Sequence, residues 1–308
     1  MYMAAVSYRR QLHTRELMQF FLEDVLRLDV TDENISSILE AERNARDFES
    51  HATKTHQDFR ISAYRTDRDR EKLHKQILSE LITLPQMEKD AEIDLGRGGA
   101  KPADPLAQSQ AFVVSGAPAS GKSGVASRLA KRSGAYILDS DYAKRKFPEY
   151  RQYACGASLL HEESDELIFG ESNSLYEYCV YHHYNIVVPL VGRTEKSVRN
   201  ICRQLTQTQY TVHLVNVRLD RFYCARRAYY RFLEEGRYVP LSYVFDEVGN
   251  APERIFYILR LNGSEATGIA SFAQISTDVP QGGTPKLIDA TEGSPVRTLF
   301  LTEEAVSL

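Results

Sequence analysis

Residues 111 to 123 read AFVVSGAPASGKS, and four of them, Gly116, Gly121, Lys122 and Ser123, occupy the fixed positions of the pattern G-x-x-x-x-G-K-[ST]. The residues between, Ala117, Pro118, Ala119 and Ser120, are small or turn-forming, and Gly124 follows the motif. A backbone of this kind curls so that successive N–H groups point inward, and the positive end of a following helix adds to the same anion site. Such a cradle suits polyphosphate. Lys122 is placed to reach β and γ phosphates, and the Ser123 hydroxyl to enter the shell of a magnesium ion that keeps most of its waters. The expected ligands are therefore ATP and Mg2+.

Further charged residues follow the loop. In AYILDSDYAKRKFPEY, Asp139 and Asp141 stand two apart at the end of an apolar run. A carboxylate there can orient or deprotonate an attacking hydroxyl, or hold magnesium through water; an Asp at a strand end also caps the next helix. Asp141 is the expected base and Asp139 the expected metal contact. Arg193 closes NIVVPLVGR, where a guanidinium can clamp a phosphorylated substrate. His161 and Glu162 open HEESDE, which can face a polar substrate or complement a helix N-terminus. Arg226, Arg227 and Arg231 line CARRAYYRFLEEG and Arg237 follows its glycine. Any two of these arginines could embrace the triphosphate and neutralise charge in the transition state; the alternative is a helix with a basic solvated side.

These residues need elements to hold them. Ala111–Ser115 has the apolar, partly β-branched character of a buried parallel strand, and GVASRLAKR places Val125 and Leu129 on one helix face. Strand-like AYILD, NIVVPLV and YTVHLVNVRL then alternate with helical EKSVRNICRQLTQ and FYCARRAYYRFLEEG. That order predicts an α/β fold, a parallel sheet flanked by helices with ligands at the carboxyl ends of the strands. Near the C-terminus, FAQISTDVPQGGTPKLID reads as strand, turn and strand. Ahead of the loop the text is helical: Leu17, Phe20, Phe21, Val25 and Leu28 share a face, Ile35, Ile38 and Leu39 repeat it, and Leu73, Ile77, Leu81 and Leu84 form a third. Pro85 stops the pattern, and the Pro- and Gly-rich residues that follow read as a linker. The expected domains are a small helical one over 1–90, a tether over 91–105 and the α/β domain over 106–308.

Composition narrows the classes. The chain has 308 residues, 43% of them hydrophobic, enough for one large domain and a smaller one. Its net charge of −4 supplies no global field for nucleic acid or an anionic membrane. The N-terminus lacks the apolar core of a cleaved signal, and no run of about 18 apolar residues occurs. Four cysteines, Cys155, Cys179, Cys202 and Cys224, show no C-x-x-C spacing, which fits reduced thiols in a cytosol better than zinc or a disulfide framework.

GAPASGKS, DSDYAKRKFPEY, NIVVPLVGR and EEGRYVP, in this order over about residues 110 to 290, resemble the zeta-toxin family of P-loop kinases, the toxin halves of bacterial toxin–antitoxin systems. The resemblance implies Lys122 and Ser123 for ATP and magnesium, Asp141 as base, Arg193 for substrate, and Arg237 with Arg226 or Arg227 on the ATP phosphates. It implies a bacterial cytoplasmic kinase acting on a small-molecule hydroxyl, typically of UDP-N-acetylglucosamine, or of NAD in a related branch of effectors delivered into another cell. Where the toxin pattern has an acidic residue, Gly and Thr before its Gly-Arg pair, this chain has Pro189, Leu190 and Val191. Thr277, Asp278 and Val279 fall where the fold implies adenine contacts. In the family a helical antitoxin, separate or fused, obstructs the nucleotide site. By that analogy residues 1–90 are expected to inhibit in cis, or else to serve as a docking or dimerisation module. The competing functions are a nucleotide-binding regulatory module and a polynucleotide 5′-kinase, the latter disfavoured by the acidic charge.

Overall fold

The computed structural model describes residues 10–48, 52–152, 156–280 and 282–300, except the side chains of 47 and 48. Cys155 and the last eight residues of the chain lie outside them. Six strands form one sheet: β1 (Gln110–Ser115), β2 (Tyr136–Ile137), β3 (Ile186–Leu190), β4 (Thr211–Arg218), β5 (Ile269–Ser276) and β6 (Lys286–Ala290), in the order β2-β3-β1-β4-β5-β6. The first five run parallel and β6 pairs antiparallel with β5, so the sheet is mixed at one edge. Parallel strands covered on both faces read as apolar runs, as Phe112, Val113 and Val114 do. The chain leaves β1 towards β2 on one side, whereas β4 lies on the other. The carboxyl end of β1 is thus the crevice where ligands bind in such sheets.

Thirteen α-helices follow in chain order among the described residues. Ahead of the sheet come α1 (Arg15–Phe20), α2 (Asp32–Phe48) and α3 (Asp67–Thr83). Next are α4 (Lys122–Ser133), α5 (Ser140–Lys146), α6 (Glu149–Gln152), α7 (Gly156–Leu159), α8 (His161–Phe169) and α9 (Leu175–Tyr181). The last are α10 (Glu195–Gln207), α11 (Arg221–Glu235), α12 (Ala251–Thr267) and α13 (Pro295–Phe300). Their ends carry expected signals. Thr66 caps α3 by accepting from the Asp69 N–H, Thr194 caps α10, and Gly236, at φ 68°, ends α11 in the left-handed conformation that glycine tolerates.

The residues ahead of the loop do not pack as the sequence suggested. Among the described residues ahead of the loop, the helices are divided between two apolar clusters and form no bundle of their own. Leu73, Ile77 and Leu81 of α3 are fully buried in the main core beside the sheet, each contributing roughly 1.5–3 kcal/mol of burial. Residues of α1 and α2 belong to a second cluster, with Tyr229 of α11 and with Tyr238, Leu241, Val244 and Phe245 beyond it. The expected face holds in part: Phe21 and Leu28 are buried, but Leu17 and Phe20 are exposed, and Met18 and Leu22 are buried in their place. A π-helical turn over Phe21–Val25 follows α1 and shifts the side-chain phase.

Residues 91–105 are no loose tether. Ile93 and Ala100 are fully buried, and the Gly99 N–H donates to the Pro85 carbonyl at 2.8 Å. A Cβ on Gly99 would lie 2.4 Å from the carbonyl oxygens of Glu80 and Leu84, so only glycine admits this approach. The segment and α3 together brace α5. Lys146 Nζ, fully buried, donates to Glu80 Oε2 at 2.7 Å and to the Asp94 carbonyl at 3.0 Å. Tyr142 donates its hydroxyl proton to Asp90 at 2.9 Å. Pro and Gly in this stretch make close packing possible where their composition suggested mobility.

Candidate active site

Gly116 follows β1 and Lys122 opens α4, so the loop delivers the first, unpaired N–H groups of α4 to the carboxyl edge of the sheet. Ala119 (φ 60°) and Gly121 (φ 85°) take left-handed conformations, which turn the backbone around the cradle. The loop is tightly supported. A Cβ on Gly116 would lie 2.8 Å from Ser120 Oγ and 2.9 Å from the Val217 carbonyl. Thr277, just past β5, donates its hydroxyl to the Ser120 carbonyl at 2.5 Å. Ser120 Oγ is itself buried without a hydrogen-bond partner. Lys122 curls over this loop and donates from Nζ to the Ala117 carbonyl at 2.8 Å. Burial lowers its pKa to about 8, opposed first by Asp139 and also by Asp141.

Both aspartates stand at this mouth. Asp139 is the N-cap of α5, accepting at Oδ1 from the Asp141 N–H at 2.9 Å, so the capping role read from the sequence is real. Its pKa is pushed up to about 7 by burial and by the Asp141 charge. Asp141, in the first turn of α5, receives Arg237 Nη2 on Oδ2 in a short ion pair and Lys144 Nζ on Oδ1 at 3.2 Å. Burial alone would raise the Asp141 carboxyl; Arg237 and Lys144 outweigh it and hold it well below the carboxylate range. Asp141 is thereby anionic at neutral pH. Arg231 belongs to the same group of charges, with Nε buried and unpaired, and burial and the neighbouring Arg237 lower its pKa. An unpaired buried guanidinium nitrogen beside this glycine loop is chemically matched to an anion.

The remaining sequence candidates are placed differently. Arg227 does not reach Asp141. Its Nη2 donates to the carbonyls of Thr277 at 2.8 Å and Val279 at 3.3 Å, tying α11 to the loop after β5. Arg226 lies over the Phe222 ring at 5.4 Å on the same helix. Arg193 is exposed and paired with Glu247 at 2.7 Å, so its charge already has a partner. His161 faces Asp165 at 3.5 Å, and Asp165 accepts a short hydrogen bond from Ser140 beside Asp141. His161 thus stands at the rim of the aspartate group. Glu162 is half-exposed beside it. Its neighbour Glu163 is buried, and binds Arg70 of α3 with Glu149 as a second partner.

Lys144, Tyr238 and the Thr277 hydroxyl escaped sequence reasoning. Lys144 sits three residues after Asp141, the spacing at which helix side chains meet. That signal was available. Tyr238 lies in the EEGRYVP motif and Thr277 falls where adenine contacts are expected, but nothing local signals that the phenol reaches Glu42 or that the Thr277 hydroxyl supports the loop.

Magnesium fits this donor set in the manner it usually binds to kinases. Ser123 is exposed in the first turn of α4 and Asp139 lies at the end of β2. Among the described residues, no group of three or more His, Cys, Asp or Glu could hold a metal. A hard cation with one or two protein contacts, the rest supplied by phosphate and water, suits that arrangement. The described cysteines Cys179, Cys202 and Cys224 are free and buried. No helix of the described residues is long and apolar enough to cross a membrane.

A glycine loop between the central strand and its helix, a lysine over its mouth, and a carboxylate paired with arginine beside it define the P-loop kinase class. Within that class, the chain belongs to the zeta toxin family, whose profile matches residues 98–261. None of the curated proteins compared matches the sequence. Among solved structures the chain is similar to one of the PezAT chromosomal toxin–antitoxin system of Streptococcus pneumoniae, at 14% identity over 76% of this chain and 86% of that one, with a TM-score of 0.48. It is also similar to the AvrRxo1-ORF1:-ORF2 complex with ATP, at 19% identity over 72% and 67% of the two chains and a TM-score of 0.45. The native AvrRxo1-ORF1:-ORF2 complex gives 18% identity over 78% and 74%, with a TM-score of 0.46.

Proposed function

We propose that this protein is an ATP- and magnesium-dependent kinase that transfers the γ-phosphoryl group to a hydroxyl of a nucleotide sugar such as UDP-N-acetylglucosamine. The observation that carries the reading is the anionic Asp141 beside Lys122 and the loop, held by Arg237. Asp141 orients the acceptor hydroxyl and receives its proton as the oxygen attacks the γ phosphorus in line. Lys122, Arg231 and Arg237 take up the charge that spreads over the phosphoryl oxygens. Magnesium, held by Ser123 and Asp139, would neutralise the β and γ phosphates. The incoming triphosphate competes with Asp141 for Arg237, and release of that arginine restores basicity to the carboxylate. Arg227 supports the loop at 277–279 beside the nucleotide, and Arg226 adds positive charge along α11. Arg193, freed from Glu247, and His161 with Glu162 at the rim face the acceptor side.

The test is phosphotransfer from labelled ATP by the full chain to nucleotide sugars, NAD and oligonucleotides in parallel. Transfer to a nucleotide sugar supports the reading; transfer to NAD alone reassigns the acceptor to a nucleotide ribose. Lys122→Ala and Asp141→Asn are each expected to lower kcat by about 10²–10³-fold or more. Full activity in either variant refutes the mechanism.

A further inference from the structure

Arg237 sits between two anchors. On one side Gly236 ends α11 with a left-handed turn. On the other, Tyr238 is buried with its ring edge-on to Phe232 at 5.1 Å, and it donates its hydroxyl proton to Glu42 Oε1 at 2.6 Å. Glu42 belongs to α2 and is 1% exposed. It lies 196 positions away in the chain and ahead of the stretch that matches the family profile. Downstream of Tyr238 the grip continues. Leu241, Val244 and Phe245 share the second apolar cluster with Met18, Phe21 and Ile38. The rings of Phe21 and Phe245 meet edge-to-face at 5.6 Å, and Arg10 pairs with Asp246 at 3.2 Å.

We infer that Glu42, acting through Tyr238, is a positioning residue for Arg237, so that α2 holds the cationic arm of the site in place. The physical reason is the asymmetry of buried polar contacts. A buried carboxyl and a buried phenol each lose more by being unpaired than the bond between them contributes, so the pair fixes where Tyr238 lies. Arg237 is one peptide unit away, and its guanidinium is delivered to Asp141 from that fixed point. The bond does not depend on the charge of Glu42. A carboxylate or a protonated carboxyl oxygen accepts from the phenol equally well in geometry, and so does the amide oxygen of glutamine.

This inference rests on the kinase reading for its consequence, but not for its geometry, and two measurements separate them. Hydrogen exchange at residues 236–242 in the full chain reads the positioning directly. Tyr238→Phe is expected to speed exchange there by about tenfold, Glu42→Leu to do so at least as much, and Glu42→Gln to stay near the parent. Turnover of magnesium ATP, with water as acceptor, reads the consequence. Tyr238→Phe should slow it, and should have no further effect in an Arg237→Ala background, because Arg237 is the group through which it acts. A loss of equal size in both backgrounds would mark a general destabilisation and overturn the proposal. So would faster turnover in Tyr238→Phe, which is the signature of an inhibitory segment, or unchanged exchange at 236–242. If the parent chain neither binds nor turns over ATP, the kinase reading falls and the exchange result alone judges the positioning.

Discussion

At the scale of single residues, the charge state of Lys122 is the feature with the clearest consequence. Burial lowers it to about 8, with Asp139 first among the charges that oppose this. On the proposed kinase function Lys122 meets phosphate as a cation, so kcat/KM for ATP is expected to fall as pH rises through about 8. A pH–rate profile with no alkaline limb below pH 10 would contradict the role. Stability has its own sign. The folded pKa lies below that of the unfolded lysine, so the unfolded chain binds more protons between the two values. The cost of burying this cation therefore shrinks as pH rises from about 8 towards 10.5. The strand, glycine turn and helix around Lys122 were legible in the sequence, because they are made by consecutive residues. Arg237 was singled out by the glycine before it and by the EEGRYVP motif, but its ion pair with Asp141 was not legible, since the two lie 96 positions apart.

At the scale of elements, α3 decides where α6 and α8 sit. Arg70 binds Glu163 at 2.9 Å and Glu149 at 2.9 Å, all three are buried, and Thr53 adds a hydrogen bond to Glu163 at 2.6 Å. Removing the cation strands two carboxylates in the core. Arg70→Met is therefore expected to cost about 3–5 kcal/mol, measured by urea denaturation; a loss below about 1 kcal/mol would mean the carboxylates find water or protons cheaply. The helical period of Leu73, Ile77 and Leu81 announced α3 correctly. Its partner stayed hidden because an amphipathic stripe states that a face is covered, without stating by what. The Pro- and Gly-rich run at 85–105 misled for a related reason. Those residues permit sharp turns in either a loose or a packed chain, and burial of Ile93 and Ala100 selects the packed one here.

At the scale of the whole molecule, two apolar clusters flank the glycine loop, one built on the sheet and its helices and one joining α1 and α2 to α11 and residues 238–248. Cutting away residues 1–48 uncovers Tyr229, Leu241, Val244 and Phe245 together. The expected outcome is a chain that associates on size exclusion and turns over ATP more slowly than the parent. A monodisperse, faster truncation would instead restore the cis-inhibitory role suggested by family analogy. By itself, the sequence determined the strand–loop–helix cradle, the alternation that builds the parallel sheet, and the aspartates at a strand end, because each is written in neighbouring residues and short-range periodicity. Only the tertiary structure decided which arginine meets Asp141, that α3 completes the main core, and that α2 holds the segment carrying Arg237, because those contacts join residues whose separation in the chain leaves no periodic trace.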